Sequence, residues 1–203
     1  MKYLILFNGP PGSGKDAISE EFIKMYPKES VICKFAESIR KTVFNTFPHI
    51  NENNYDNLKN KPLGGVYGND ITLRQWIIKY AEEFMKPMFG KDIFASLTCE
   101  RISKLFETNK CVIITDLGLN EEIETVLYRF HLRDSVKIML VQLCREGHDF
   151  KDDSRYYINT SKINQTYIKK LNFYCLENHS NVTLKELADD LYFYVTGISR
   201  NIM

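Results

Sequence analysis

The sequence carries no surplus of either charge: 27 Lys and Arg stand against 26 Asp and Glu, leaving +1 over 203 residues. A protein that grips a nucleic acid polymer usually shows a strong basic excess. The balance speaks against that class, yet leaves room for a small anionic ligand, which needs only a few local cations. No hydrophobic run approaches the ~20 residues of a membrane span. The N-terminal run YLILF is cut off by Asn8, Gly9 and Pro10 and is too short for a signal peptide. The five cysteines, Cys33, Cys99, Cys111, Cys144 and Cys175, form no C-x-x-C pair. Their odd number and mostly apolar surroundings predict buried free thiols in a reducing cytosol rather than a disulfide scaffold. His49, His131, His148 and His179 show no metal-ligand spacing, and no Ser-His-Asp order is legible. There is no internal repeat, low-complexity tract or linker. One domain over 1–203 is therefore expected, long enough to bury its own core.

What the sequence does contain is an alternation of strand and helix patterns. KYLILF (2–7) is a continuous apolar run flanked by Gly and Pro, as in a strand buried on both faces. Residues 15–26 align Ile18, Phe22 and Met25 on one helical face, and 36–47 align Ile39, Val43 and Phe47. Further strands are predicted at 30–35, 110–116, 135–143 and 172–178. Further helices are predicted at 72–86 (capped by Thr72), about 92–107, 121–131 and 183–195. Residues 48–71 read as a long polar loop, and long loops in compact domains are often functional. The order predicts an α/β domain with a mostly parallel sheet. The stripe Trp76, Ile77, Tyr80 and Phe84 recurs at helical spacing and reads as core.

The stretch NGPPGSGKDAIS (8–19) nearly matches the phosphate-binding pattern G-x-x-x-x-G-K-[ST]. It follows a buried strand and opens a helix, the context that pattern requires. Backbone amides of Gly9, Gly12, Ser13, Gly14, Lys15, Asp16 and Ala17 would face phosphate oxygens, aided by the helix N-terminus. Lys15, expected to be exposed in the empty loop, would reach the β- and γ-phosphates of ATP. Asp16 replaces the hydroxyl residue that normally holds Mg²⁺. A carboxylate beside a triphosphate needs a cation between them, so Asp16 either ligates Mg²⁺, directly or through water, or stabilises the first helical turn. Asp116 ends the strand VIITD, where ligands gather in open parallel sheets. It is a candidate to hold a metal-bound water, or else a helix cap.

Six stretches, GPPGSGKD, FAESIRKTV, TLRQWIIKYAEEFMKPMFGKDIFASL, VIITD, FKDDSRYYI and ENHSNVTLKEL, occur in that order. Together they resemble the bacteriophage deoxynucleoside monophosphate kinases, within the nucleoside monophosphate kinase-like P-loop fold; animal-type phosphomevalonate kinases look related. The resemblance spans nearly the whole chain, and its GKD variant of the loop occurs in that group. It implies a P-loop three-layer sandwich with a mostly parallel five-stranded sheet, an acceptor-binding region at about 48–92 and a lid at about 145–165. It implies transfer of the ATP γ-phosphoryl to a (deoxy)nucleoside 5′-monophosphate with Mg²⁺, in the cytoplasm (of the host, if the chain is of phage origin). No membrane or nucleic acid partner is implied, and a homodimer is compatible with it. By similarity Arg40 and Arg74 hold the acceptor phosphate, Arg74, Arg145 and Arg155 neutralise charge on the moving group with Lys15, and Asp116 holds a metal-bound water or orients the acceptor. Asn178 is the base-side contact for ATP. One departure stands out: the group usually writes D-x-R at the strand end, and here Gly118 takes the Arg position. The contact is then missing or supplied from elsewhere, which keeps open a kinase for another phosphorylated acceptor, such as a phosphomevalonate-like compound, or a nucleotide-binding regulator with little catalysis.

Overall fold

The computed structural model describes residues 1–25, 29–64, 70–151 and 153–197. Five strands form one sheet: β1 (Lys2–Asn8), β2 (Ser30–Cys33), β3 (Cys111–Leu117), β4 (Val136–Cys144) and β5 (Leu171–Glu177). Their spatial order is β2-β3-β1-β4-β5 and every pairing is parallel. The sequence leads to this directly. Strands without charge on either face can only be buried on both, and alternation then sends successive side chains into two cores. Leu4 and Leu6 of β1, Val112 and Ile114 of β3, and Ile138 and Leu140 of β4 enter one core with α6 (Ile93–Thr108) and α7 (Asn120–Phe130). Ile5, Phe7, Ile113 and Val141 enter the other with α1 (Lys15–Met25) and α9 (Leu184–Thr196). The result is a three-layer α/β/α sandwich of the P-loop type, with β1 in the middle and its carboxyl end opening into the glycine-rich loop.

A third, smaller core lies outside the sandwich. Val43 and Phe47 of α2 (Glu37–Thr46) pack with Ile50, Tyr55 and Leu73. Here two expectations need correction. The 48–71 stretch is not all loop: it holds the short helix α3 (Tyr55–Leu58), and Pro62 bridges to Thr72. Residues 65–69 of that stretch, residue 26 of the first predicted helix and residue 152 of the lid fall outside the described residues. The predicted helix 72–86 begins as expected, with Thr72 and Gln75 forming a reciprocal cap over α4 (Leu73–Lys79). It then widens into a π-helical segment, Tyr80–Met85, before α5 (Lys86–Phe89). The aromatic stripe along it is only partly core. Phe47 meets Trp76 edge-on and Trp76 stacks on Tyr80, but Phe84 is half exposed. The short helix α8 (Gln165–Ile168) precedes β5. The thiols also divide: Cys33, Cys99 and Cys111 are buried as expected, whereas Cys144 is half-buried and Cys175 exposed on edge strand β5.

Candidate active site

The loop leaves β1 at Asn8, a fully buried amide that ties three segments together. Its Nδ2 donates to the carbonyls of Leu117 (3.1 Å) and Tyr156 (3.0 Å), and its Oδ1 accepts from Ile158 N (2.8 Å). Gly12 and Gly14 adopt positive φ values of 76° and 107°, backbone conformations that side chains resist. The first i→i−4 bond of α1 runs from Ile18 N to Gly14 O (2.9 Å). The amides of Lys15, Asp16 and Ala17 precede it and have no intrahelical acceptor, as at any helix start. They form the cradle that a phosphate would fill.

Lys15 is not exposed as the sequence led one to expect; it is 7% exposed. Its ammonium donates to the carbonyls of Gly9 (2.6 Å) and Pro10 (2.7 Å). Burial, followed by the positive charge of Arg155, pushes its pKa down to about 8. A lysine so destabilised as a cation marks a position short of negative charge, which an incoming phosphate would supply.

The two candidate metal carboxylates are differently occupied. Asp16 Oδ1 pairs with Lys34 Nζ (2.7 Å) and accepts from Thr115 Oγ1 (2.7 Å). Burial works against this carboxylate, but those hydrogen bonds outweigh it and hold its pKa below the ordinary value. No described residue donates to Asp16 Oδ2. Asp116 accepts from Phe35 N (2.9 Å) on one oxygen and Ala36 N (3.0 Å) on the other, so it anchors the chain entering α2 from across the sheet. Burial raises its pKa despite those amides. Among the described residues no group of three or more His, Cys, Asp or Glu converges as a ready-made metal site. The donor set suits an ion held chiefly by nucleotide oxygens and water, with Asp16 Oδ2 as the available protein ligand.

Arg145, His148 and Asn178 brace the loop from the side of β4 and β5. Arg145 Nη1 donates to Gly12 O (3.0 Å), and Asn178 Nδ2 donates to Ser13 O (2.8 Å). A Cβ on Gly12 would lie 2.6 Å from the His148 ring, and one on Gly14 2.6 Å from Asn178 Nδ2. Asn178, expected on the base side, thus holds the loop backbone.

Arg155 occupies the room left by Gly118. A Cβ on Gly118 would sit 2.3 Å from Arg155 Cγ and 2.4 Å from its Cδ, so only glycine admits this stem. Tyr156 N donates to Gly118 O (3.2 Å), fixing the chain in place. The guanidinium makes a bidentate pair with Asp153, Nε at 2.9 Å and Nη2 at 2.6 Å, and this pair holds the Asp153 pKa down at about 2. Arg155 thus lies against the position where the resembled group carries its own arginine.

Arg40 and Arg74 lie toward the small core. Arg40 sits over the Tyr55 ring at 4.6 Å, its nearest carboxylate being Glu52 at 3.9 Å, and its buried Nε has no partner among the described residues. Arg74 is exposed on the first turn of α4. It is near enough to Asp153 to add to the lowering of that carboxyl.

Three participants were missed by sequence reasoning. Lys34 is the one charge inside the apolar run SVICKF, a signal that could have marked it. Asp153 belongs to an acidic pair that read as solvated loop. Glu122 sits at the third position of α7, where a glutamate ordinarily caps a helix. It does so here, Oε2 accepting from Gly118 N (2.9 Å) and Leu119 N (3.1 Å), but burial lifts its pKa to about 7. Glu122 also lines a cavity of about 520 Å³ between α2, the π segment, α6 and the start of α7.

No helix among the described residues is long and apolar enough to cross a membrane. No known family model matches the chain. No curated protein matches it in sequence either. Among solved structures, it is similar to the APS kinase of Mycobacterium tuberculosis in complex with AMPPNP and APS, at 10% identity over 94% of this chain and 95% of that one, TM-score 0.47. It is also similar to shikimate kinase from Acinetobacter baumannii in complex with shikimate, at 12% identity over 97% and 94%, TM-score 0.47. Dephospho-CoA kinase from Campylobacter jejuni is similar at 13% identity over 97% and 99%, TM-score 0.44. At such identity and TM-score, similarity does not identify an acceptor.

Proposed function

We propose that the chain is an ATP-dependent kinase that phosphorylates a (deoxy)nucleoside 5′-monophosphate, as the resemblance to the bacteriophage enzymes implies. The observation that carries this reading is the nearness of two cations, buried Lys15 and Arg155, the latter seated against Gly118 beside the same loop. A loop amide cradle alone would serve any nucleotide binder. A second cation set against it answers the need of a transferring phosphoryl group.

In the proposed reaction an oxygen of the acceptor phosphate attacks the γ-phosphorus of ATP. The bond from the γ-phosphorus to the β–γ bridging oxygen breaks, and ADP leaves with that oxygen. The acceptor phosphate is already nucleophilic, so no side chain need act as a strong base and no covalent enzyme intermediate forms. Lys15 and the loop amides hold the donor phosphates, and Arg155 would release Asp153 to meet the moving group. Arg40 and Arg74 approach from the acceptor side, and Arg145 and Asn178 keep the loop in shape. Mg²⁺, held by nucleotide oxygens with Asp16 and a water on Asp116, would neutralise charge between the phosphates.

The test is incubation of the protein with ATP, Mg²⁺ and each deoxy- and ribonucleoside monophosphate, reading the diphosphate formed. Product from one or more of them is expected. Tight ATP binding with no product from any would overturn the assignment; product only from another phosphorylated compound would keep the kinase and change the acceptor.

A further inference from the structure

The cavity beside Gly118 has a chemistry of its own. Its volume, about 520 Å³, falls within the range that encloses small ligands. Ile39, Phe94 and Leu119 give it apolar surface suited to a flat ring. Its charged lining is unequal: Glu82, Asp92, Glu121 and Glu122 stand against Lys86 and Lys91. Lys86 is already spent on Glu82 at 2.5 Å. An anion placed here would be repelled, so a phosphate belongs outside, toward Arg155 and Arg40.

Glu122 supplies the specific element. Both backbone donors reach the same oxygen, Oε2. No described residue donates to Oε1. A carboxylate oxygen in a cavity wall that no protein group donates to is open to a donor on a ligand. Gly118 joins the two halves: its amide holds Glu122, and its missing side chain admits Arg155. A molecule with a ring in the cavity and a phosphate toward Arg155 would span that one residue.

We infer that this cavity takes the ring of the acceptor and that Glu122 selects rings bearing an exocyclic amine over rings bearing an oxo group at that edge. The term acceptor rests on the kinase reading above; the binding preference does not. The same acidic wall disfavours an acceptor whose far end is a carboxylate.

dCMP and dUMP form the diagnostic pair, since they differ only at one ring edge, amine and ring nitrogen against oxo and ring N–H. Calorimetric binding of each at pH 8 without ATP, then kcat/KM of each at that pH with ATP and Mg²⁺, reads the preference twice with Glu122 mostly ionised. dCMP should lead by about 10- to 100-fold, the worth of one buried hydrogen bond. Glu122→Gln can still accept from the two amides on its oxygen but then turns an NH2 donor to the cavity, so the dCMP lead should fall to about threefold or less or reverse in favour of dUMP. Equal binding of the two nucleotides by the wild-type protein, or a preference for dUMP, overturns the inference, and this arm stands even if the variant does not fold. A dCMP preference that survives in folded Glu122→Gln overturns the role of Glu122. A binding preference without turnover supports the cavity and leaves the kinase reading to the wider acceptor screen. Turnover without a preference overturns the inference and keeps the kinase.

Discussion

The phosphate loop and the acceptor-side region are built by opposite means. At the loop, side chains from three parts of the chain fix the backbone: Lys15, Arg145 and Asn178 each donate to a loop carbonyl, and Asn8 ties its start to Leu117 and Tyr156. Around 48–92, a five-residue core led by Phe47 and Leu73 carries the load, and Ile78, Phe84, Met88 and Phe89 stay exposed. Even the buried Arg40 Nε lacks a partner among the described residues. The contrast follows from what each end has to do. Phosphates are alike in every nucleotide, so their site gains most from rigidity fixed in advance. A wall that must close on a particular ring gains from a light core whose rearrangement costs little.

The most damaging way to break the rigid end is Lys15→Ala. It removes the ammonium that donates to the Gly9 and Pro10 carbonyls, leaving Ser13 Oγ on Pro10 alone, and with it the cation nearest the expected phosphates. Turnover should fall by about 10²- to 10³-fold, the usual loss for one preorganised donor. A protein that keeps its circular dichroism spectrum and its kcat/KM would end the phosphate-loop assignment.

The next effect lies at the seam between the regions and is one of stability. The folded Glu122 pKa, about 7, lies above the ordinary 4.5, with burial as the main cause. The folded state therefore holds this proton more tightly than the unfolded chain. The corresponding stability is complete below about pH 4.5 and is lost as pH rises through about 7, some 3 kcal/mol in all. Urea unfolding of wild type and Glu122→Gln at pH 5 and pH 8 should show the wild type losing about that much relative to the variant. Parallel pH profiles would mean that the carboxyl is solvated.

Gly118→Ala sharpens the comparison with the smallest change. The new methyl must displace the Arg155 stem, an overpacking that costs about 1–3 kcal/mol. On the proposed role of Arg155, acting on the transferring group rather than on bound ATP, kcat should drop about tenfold while the KM for ATP stays level. A rise in that KM alone would place Arg155 on the ground-state nucleotide.

Much of the rigid end was legible in the sequence. Strands buried on both faces have to be apolar throughout, and VIITD and KYLILF say so without help. The loop is legible because glycine spacing and a following helix are local properties. The partners that meet across the sheet were not. Phe35 and Ala36 bind Asp116 only because β2 lies beside β3, and no local pattern encodes that neighbour. Gly118 was visible as a departure from a familiar pattern, but the residue that fills its space, Arg155, lies 37 residues on in the sequence. The acceptor side was the least legible. Its polar composition hid α3, and the π segment has the same residues as an ordinary helix.

That π segment absorbs one extra residue without turning the wall of the site. Ala81 and Glu82 line the cavity, and so do Lys86 and Pro87, each five positions further along. In an α-helix, residues five apart point about 140° away from each other. The wider turn, with Lys86 N bonded to Ala81 O, brings both pairs to one side. An α-helix of the same length would carry Lys86 and Pro87 out of the cavity with no side chain altered. An α-helix one residue shorter, with any of 83–85 removed, would leave each pair four apart, about 40° from one another and again on one side. Straightening the helix here therefore keeps the wall only when it is matched by the loss of one residue.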